Sequence, residues 1–273
     1  MTFDMNRAWR GAMDMFSANR EVLLIVAGIF FFLPQLLASI VLPDMSGAMA
    51  NPEDSQAMIA MLTQIYTNYW WLFLIVVLAQ GIGFLGMIAL LRDSSKPTVG
   101  EALMAGLKAL LPYILASIIM SVIFMMVFVL IVGVLSITGI PALAALGMAI
   151  ALAAFFYLGV RFSLLTAVMA IENILNPVGA LRRSWTLTKG HSVRLLLFYA
   201  LILVAYLVIS LVIGLVMGGL VLALGGSTIG LFLNAVVSGL IGAAATSLFA
   251  TLLASIHHQL SGPSTQAIGS TFD

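Results

Sequence analysis

The chain has 273 residues, 63% of them hydrophobic and 8% charged, with a mean hydropathy of +1.19. A soluble domain carries roughly 25% charged residues, so this much apolar side chain has no aqueous fold to enter and lipid must be its solvent. A net charge of +1 excludes a nucleic-acid groove, which needs many more cations, and the lack of cysteine excludes disulfides, thiolate metal sites and thiol catalysis.

Near the start, Asp4 is placed to cap a helix carrying Ala8, Trp9, Ala12 and Met13. A first apolar run follows at 22–42. Arg7, Arg10 and Arg20 before it and Ala48-Met49-Ala50 after it imitate a secretory leader. The run is too long for a leader and the small-residue site lies too far downstream, so a retained span is expected. A spanning helix needs about 20 predominantly apolar residues, and five further runs qualify, at 69–91, 109–137, 142–171, 195–224 and 228–256. The fold class is therefore all-α: a polytopic membrane protein of six transmembrane helices.

The loop after the first span holds Asp44, Glu53 and Asp54. In it, Asn51-Pro52-Glu53-Asp54 reads as a helix start, followed by an apolar stripe of Met58, Met61, Leu62 and Ile65. The stripe either lies on the membrane or runs into span two at Tyr69-Trp70-Trp71, aromatics that suit an interfacial belt. Inside span two, Gly81-x-Gly83-x-x-Gly86 matches the dinucleotide-binding pattern. It lacks the strand–turn–helix setting that gives the pattern meaning, so close helix packing is expected. Gln35, Gln80 and Asn234, uncharged polar residues within spans, are expected to hydrogen-bond between helices.

Between spans two and three, Thr98-x-x-Glu101 is a capping box, followed by Ala102, Leu103, Gly106 and Leu107. Seventy-eight residues later Asn176, a good N-cap, precedes Pro177 at the first helical position, and Ala180, Leu181, Ser184 and Trp185 occupy the matching places. Here Val178, Leu181, Trp185 and Thr188 share one face, Arg182, Arg183 and Lys189 point elsewhere, and Gly190 supplies a stop. The expectation is a short amphipathic helix in the headgroup layer, its cations near phosphates. With the copy at Asp4 this makes three repeats of amphipathic interfacial helix plus helical hairpin, at 3–92, 97–175 and 176–260, and a short polar tail at 261–273.

Ten of the eleven Lys and Arg residues precede span one, lie between spans two and three, or lie between spans four and five. The positive-inside rule makes that side and both termini cytoplasmic, in a bacterial-type inner membrane. The eleventh, Arg161, ends span four, where an interfacial snorkel is the first expectation; pairing with a carboxylate or a lipid phosphate between helices is the sharper one. On a continuous helix Glu172 would share its face about 16 Å further along. The two would not touch, leaving each to a polar group of another unit. His257-His258 ends span six, a favourable place for cations, with no third metal ligand in view.

The run VRFSLLTAVMAIENILNPVGALRRSWTLTKG, residues 160–190, resembles the signature of the glycerophosphoryl diester phosphodiesterase membrane-domain family. The features are Arg161-Phe162, Glu172, Asn176-Pro177, Ala180-Leu181, Ser184-Trp185 and Leu187-Thr188-Lys189-Gly190. A proline that relatives carry between the Arg and the acid is absent; Thr166 and Ala167 stand there. In some relatives a soluble, metal-dependent catalytic barrel is attached. This sequence holds no such barrel, so the resemblance implies a free-standing membrane domain and carries no activity over.

No nucleophile, base and oxyanion donors can be assembled, and no cofactor is expected. The leading expectation is a non-catalytic inner-membrane protein, a scaffold or accessory subunit or an organiser of envelope lipid. The alternative is a small-molecule or lipid transporter with an anion site near Arg161. Expected partners are the bilayer with its anionic lipids and a membrane protein or second copy. Their candidate contacts are Arg161, Glu172, Arg182, Arg183, Trp185, Lys189 and Arg194.

Overall fold

Six stretches are long and apolar enough to cross a membrane: Met5–Val41, Met58–Leu90, Val99–Ser136, Pro141–Ile171, Ser192–Ala223 and Thr228–Ser261. The structure, a computed structural model, describes residues 3–43, 55–92 and 97–262, and every regular element among them is a helix. The chain is an all-α, multi-pass membrane protein. The expected helix start at Asn51-Pro52-Glu53-Asp54, the Ala48-Met49-Ala50 site, Lys96 and the tail from 263 onward lie outside the described residues.

All three expected caps form. Helix α1 (Met5–Ala27) starts where the Asp4 carboxylate accepts the Arg7 N–H at 2.9 Å. It continues through a wide turn at Gly28–Phe32 into α2 (Leu33–Val41). Pro34 offers no N–H to the helix, and the looser turn before it absorbs that loss. Helix α3 (Ser55–Leu90) runs from the apolar stripe into span two, bending at Tyr69, with Ile65 already buried. Helix α4 (Val99–Phe128) opens on the Thr98–Glu101 capping box and passes through a second wide turn, Val129–Gly133, into the short α5 (Val134–Ser136). Then follow α6 (Pro141–Phe162), α7 (Leu165–Ile171) and α8 (Pro177–Thr188), the last capped by Asn176. Helices α9 (Ser192–Ala223) and α10 (Thr228–Ser261) complete the bundle.

Only the third leading segment, α8, is a separate helix. The first two continue into their spans. Gly190, at φ 83°, is the left-handed residue that ends α8, and no such residue interrupts the other two. Ala8 and Ala12, Ala102 and Gly106, Ala180 and Ser184 hold matching positions four apart, and all six are buried. Between helices in lipid, small residues of this kind allow close approach where the hydrophobic effect contributes little. A Cβ at Gly106 would lie 2.7 Å from the Ile82 carbonyl oxygen and 2.8 Å from the Gly86 nitrogen. The glycines of Gly81-x-Gly83-x-x-Gly86 are thus contact surface for the wide turn Gly28–Phe32 and for α4.

The second spans of the three hairpins converge at their basic-loop ends. There α7 packs on α3, α4, α8 and α10, and Leu165 to Ala170 are buried without exception. Around this centre α1 lies along α10, and α4 along α3. Burial thins toward the opposite side, where Leu130, Ile137, Leu207 and Leu215 face outward into hydrocarbon.

Candidate functional site

The polar groups of the chain gather under α8, where span four ends. Its helix breaks at Ser163-Leu164 without any proline. The break frees carbonyl groups that must find donors in a dry setting. Ser163 Oγ donates to the Val160 carbonyl at 2.8 Å, while Ser184 Oγ and Thr188 Oγ1 of α8 donate to that of Arg161 at 3.0 and 3.2 Å.

Arg161 returns the interaction. Its Nη1 donates to the Trp185 carbonyl at 3.2 Å, in the last turn of α8, where unpaired carbonyls and the negative end of the helix dipole lie. The guanidinium carbon stands 4.1 Å from the centre of the Trp185 ring and 5.6 Å from that of Tyr157. At 4% exposure Arg161 is buried, so the expected snorkel does not occur. Neither does the carboxylate pairing, because two aromatic faces and a helix end take the place of an anion. The two ends of the break are therefore clamped to α8 in both directions.

Glu172 ends α7 and is bound from two other elements. Arg183 of α8 grips it in a two-pronged pair, Nε to Oε2 at 2.8 Å and Nη2 to Oε1 at 3.0 Å. His257 Nε2 of α10 lies 2.8 Å from Oε1. Burial pushes the carboxyl upward, but the hydrogen bonds and charges of His257 and Arg183 outweigh it and hold the group at about 2. Beside this cluster, Arg92 Nη2 donates to the Ala170 carbonyl at 2.6 Å and His258 Nε2 lies 3.2 Å from that of Leu91. The ends of spans two, four and six and helix α8 are thereby tied at one level.

No family model, curated protein or solved structure matches the chain. The geometry gives the residues of the 160–190 run a mechanical role. Arg161, Ser184, Trp185 and Thr188 make the clamp, Asn176 caps α8 by accepting the Gly179 N–H at 3.0 Å, and Glu172 ties α7 to α8 and α10.

Of the seven candidate contacts, the structure brings Arg161 to Trp185 and Glu172 to Arg183. Arg182, Lys189 and Arg194 are exposed and form no ion pair among the described residues. The face expected of α8 is corrected: Ala180, Leu181, Ser184, Leu187 and Thr188 are buried, whereas Val178 is 63% exposed. Two hydroxyls turn inward because a carbonyl awaits them. Gln35, Gln80 and Asn234 make no side-chain hydrogen bond among the described residues, against expectation. The crossings near the first two are made by phenylalanine against glycine, with Phe32 on Gly239 and Phe30 on Gly83. His257 and Arg92 were not legible as site residues. The only hint was a polar residue at the end of an apolar run.

Proposed function

We propose that this chain is a non-catalytic protein of the cytoplasmic membrane, serving as a scaffold or accessory subunit or in lipid organisation, with its basic loops and both termini on the cytoplasmic side. One observation carries this reading: Glu172 and Arg161 are each engaged by groups of neighbouring helices. Glu172 is filled by Arg183 and His257, and Arg161 by Trp185 and Tyr157. Groups held this way fix the relative positions of helices. Exposed Arg182, Lys189 and Arg194 are left to meet lipid phosphates or a partner.

The transporter alternative needs an anion to reach Arg161, and the aromatic enclosure speaks against it. Purified protein in proteoliposomes is the test. Under the scaffold reading, leakage of anionic solutes and movement of labelled lipid stay at the rate of empty vesicles. A saturable flux that disappears in Arg161→Gln overturns it. Single cysteines placed at residues 95 and 55 test the orientation, with only residue 55 expected to react with an impermeant reagent from outside.

A further inference from the structure

A half-open recess of about 250 Å3 lies where span two ends and span three begins, lined by Ala89, Arg92, Pro97, Glu101, Ala102 and Ala105. It is smaller than the roughly 300–1,000 Å3 of sites for drug-sized molecules, and of a size for a headgroup. Its two charges are opposite and do not pair, since no ion pair within 4 Å joins Arg92 to Glu101.

Each charge has capacity left over. Arg92 is anchored through Nη2 on the Ala170 carbonyl and its Nε is buried, while Nη1 makes no hydrogen bond among the described residues. Glu101 spends Oε2 on the Thr98 N–H and hydroxyl, at 2.8 and 3.0 Å, while Oε1 makes no hydrogen bond among the described residues. A recess that presents one free guanidinium donor and one free carboxylate oxygen, apart from each other, is complementary to a zwitterion. The anionic end would be a phosphate, which suits guanidinium. The cationic end would be a primary ammonium, which can donate to a carboxylate.

Further along α4, Met104, Leu107 and Leu111 are exposed as the helix enters the apolar belt. A molecule held here by its head has a lipid-facing helix for its tail. We propose that this recess binds the headgroup of a phosphoethanolamine lipid, with the phosphate on Arg92 Nη1 and the ammonium on Glu101 Oε1. The site goes beyond the scaffold reading and does not depend on it, because a scaffold and a transporter can each hold a lipid here.

The test is native mass spectrometry of detergent-purified protein titrated with lipids of identical chains and phosphoethanolamine, phosphocholine or phosphoglycerol heads. Phosphoethanolamine is expected to bind about tenfold more tightly than phosphocholine, whose quaternary ammonium has no N–H for Glu101; tenfold corresponds to one charged hydrogen bond. Glu101→Gln keeps a residue suited to the capping box and makes the recess cationic, so its preference should move to phosphoglycerol. Arg92→Gln should weaken both. Equal binding of the three heads by the natural protein, or an unchanged preference in Glu101→Gln, overturns the proposal. Soluble phosphoethanolamine that binds as tightly as the lipid overturns it too, because the α4 surface would then have no part.

Discussion

Replacing Glu172 by glutamine keeps the side chain's shape and one acceptor oxygen while removing its charge. The structure sets the magnitude. A carboxyl held at about 2 rather than at its ordinary 4.5 is bound in its ionised form by roughly 3 kcal/mol. The side chain is 19% exposed, and solvent screening at that edge brings the expected loss to about 2 kcal/mol. Removing one member of a buried pair costs about 3–5 kcal/mol when nothing replaces it, and the retained glutamine oxygen accounts for the lower value here. At about 2–4 °C per kcal/mol for a chain of this size, thermal unfolding in mild detergent should move down by about 4–8 °C. Arg183→Gln should fall by a similar amount, and the double variant Glu172→Gln/Arg183→Gln by little more than either alone. A Glu172→Gln protein melting within about 1 °C of the natural one would refute the reasoning. So would full additivity in the double variant, since the pair would then not be coupled in the folded state.

The same carboxylate gives an acid limb. Its contribution is fully present above the ordinary carboxyl value of 4.5 and is lost as pH falls through about 2, so melting curves of the natural protein and Glu172→Gln should converge over that interval. Ser184→Ala combined with Thr188→Val leaves the buried Arg161 carbonyl without its two hydroxyl donors, and a loss of about 1–3 kcal/mol is expected in the same assay. Gly106→Ala would press a methyl group onto the backbone of Ile82 and Gly86, so the yield of folded protein should collapse. Gly214→Ala, with nothing within 4 Å of the new atom, should be neutral. Equal yields of the two alanine variants would argue against the close crossing of α3 and α4.

The spans and the three caps were legible because each is written locally: a run of about twenty apolar residues, or an Asp, Thr or Asn before a helix. The site was not. Glu172 finds Arg183 eleven positions away and His257 eighty-five positions away, and nothing at the end of span six singles out the second partner. The orientation of α8 was misjudged for a related reason. Apolar periodicity groups Val178 with Leu181, Trp185 and Thr188, yet the decisive acceptor is a carbonyl freed by a break in another helix, and it draws Ser184 in beside Thr188 and leaves Val178 exposed. Arg161 illustrates the limit of reading charge alone, since its neighbours are two aromatic rings that a search for acids passes over.

The pairing of the first helix with the last has a consequence for biosynthesis. Ser255 Oγ donates to the carbonyl of Ala8, 247 positions away, and α1 lies along α10. At roughly 5–20 residues per second, a ribosome takes about 12–50 s to cover that separation. Throughout this time Ala8 and Gly11 lack the Ser255 surface that closes over them, open to insertion factors, to proteases or to the wrong neighbour. A nascent chain halted before span six would then be marked as unfinished by its own first helix, and completion of α10 would be the event that removes the mark.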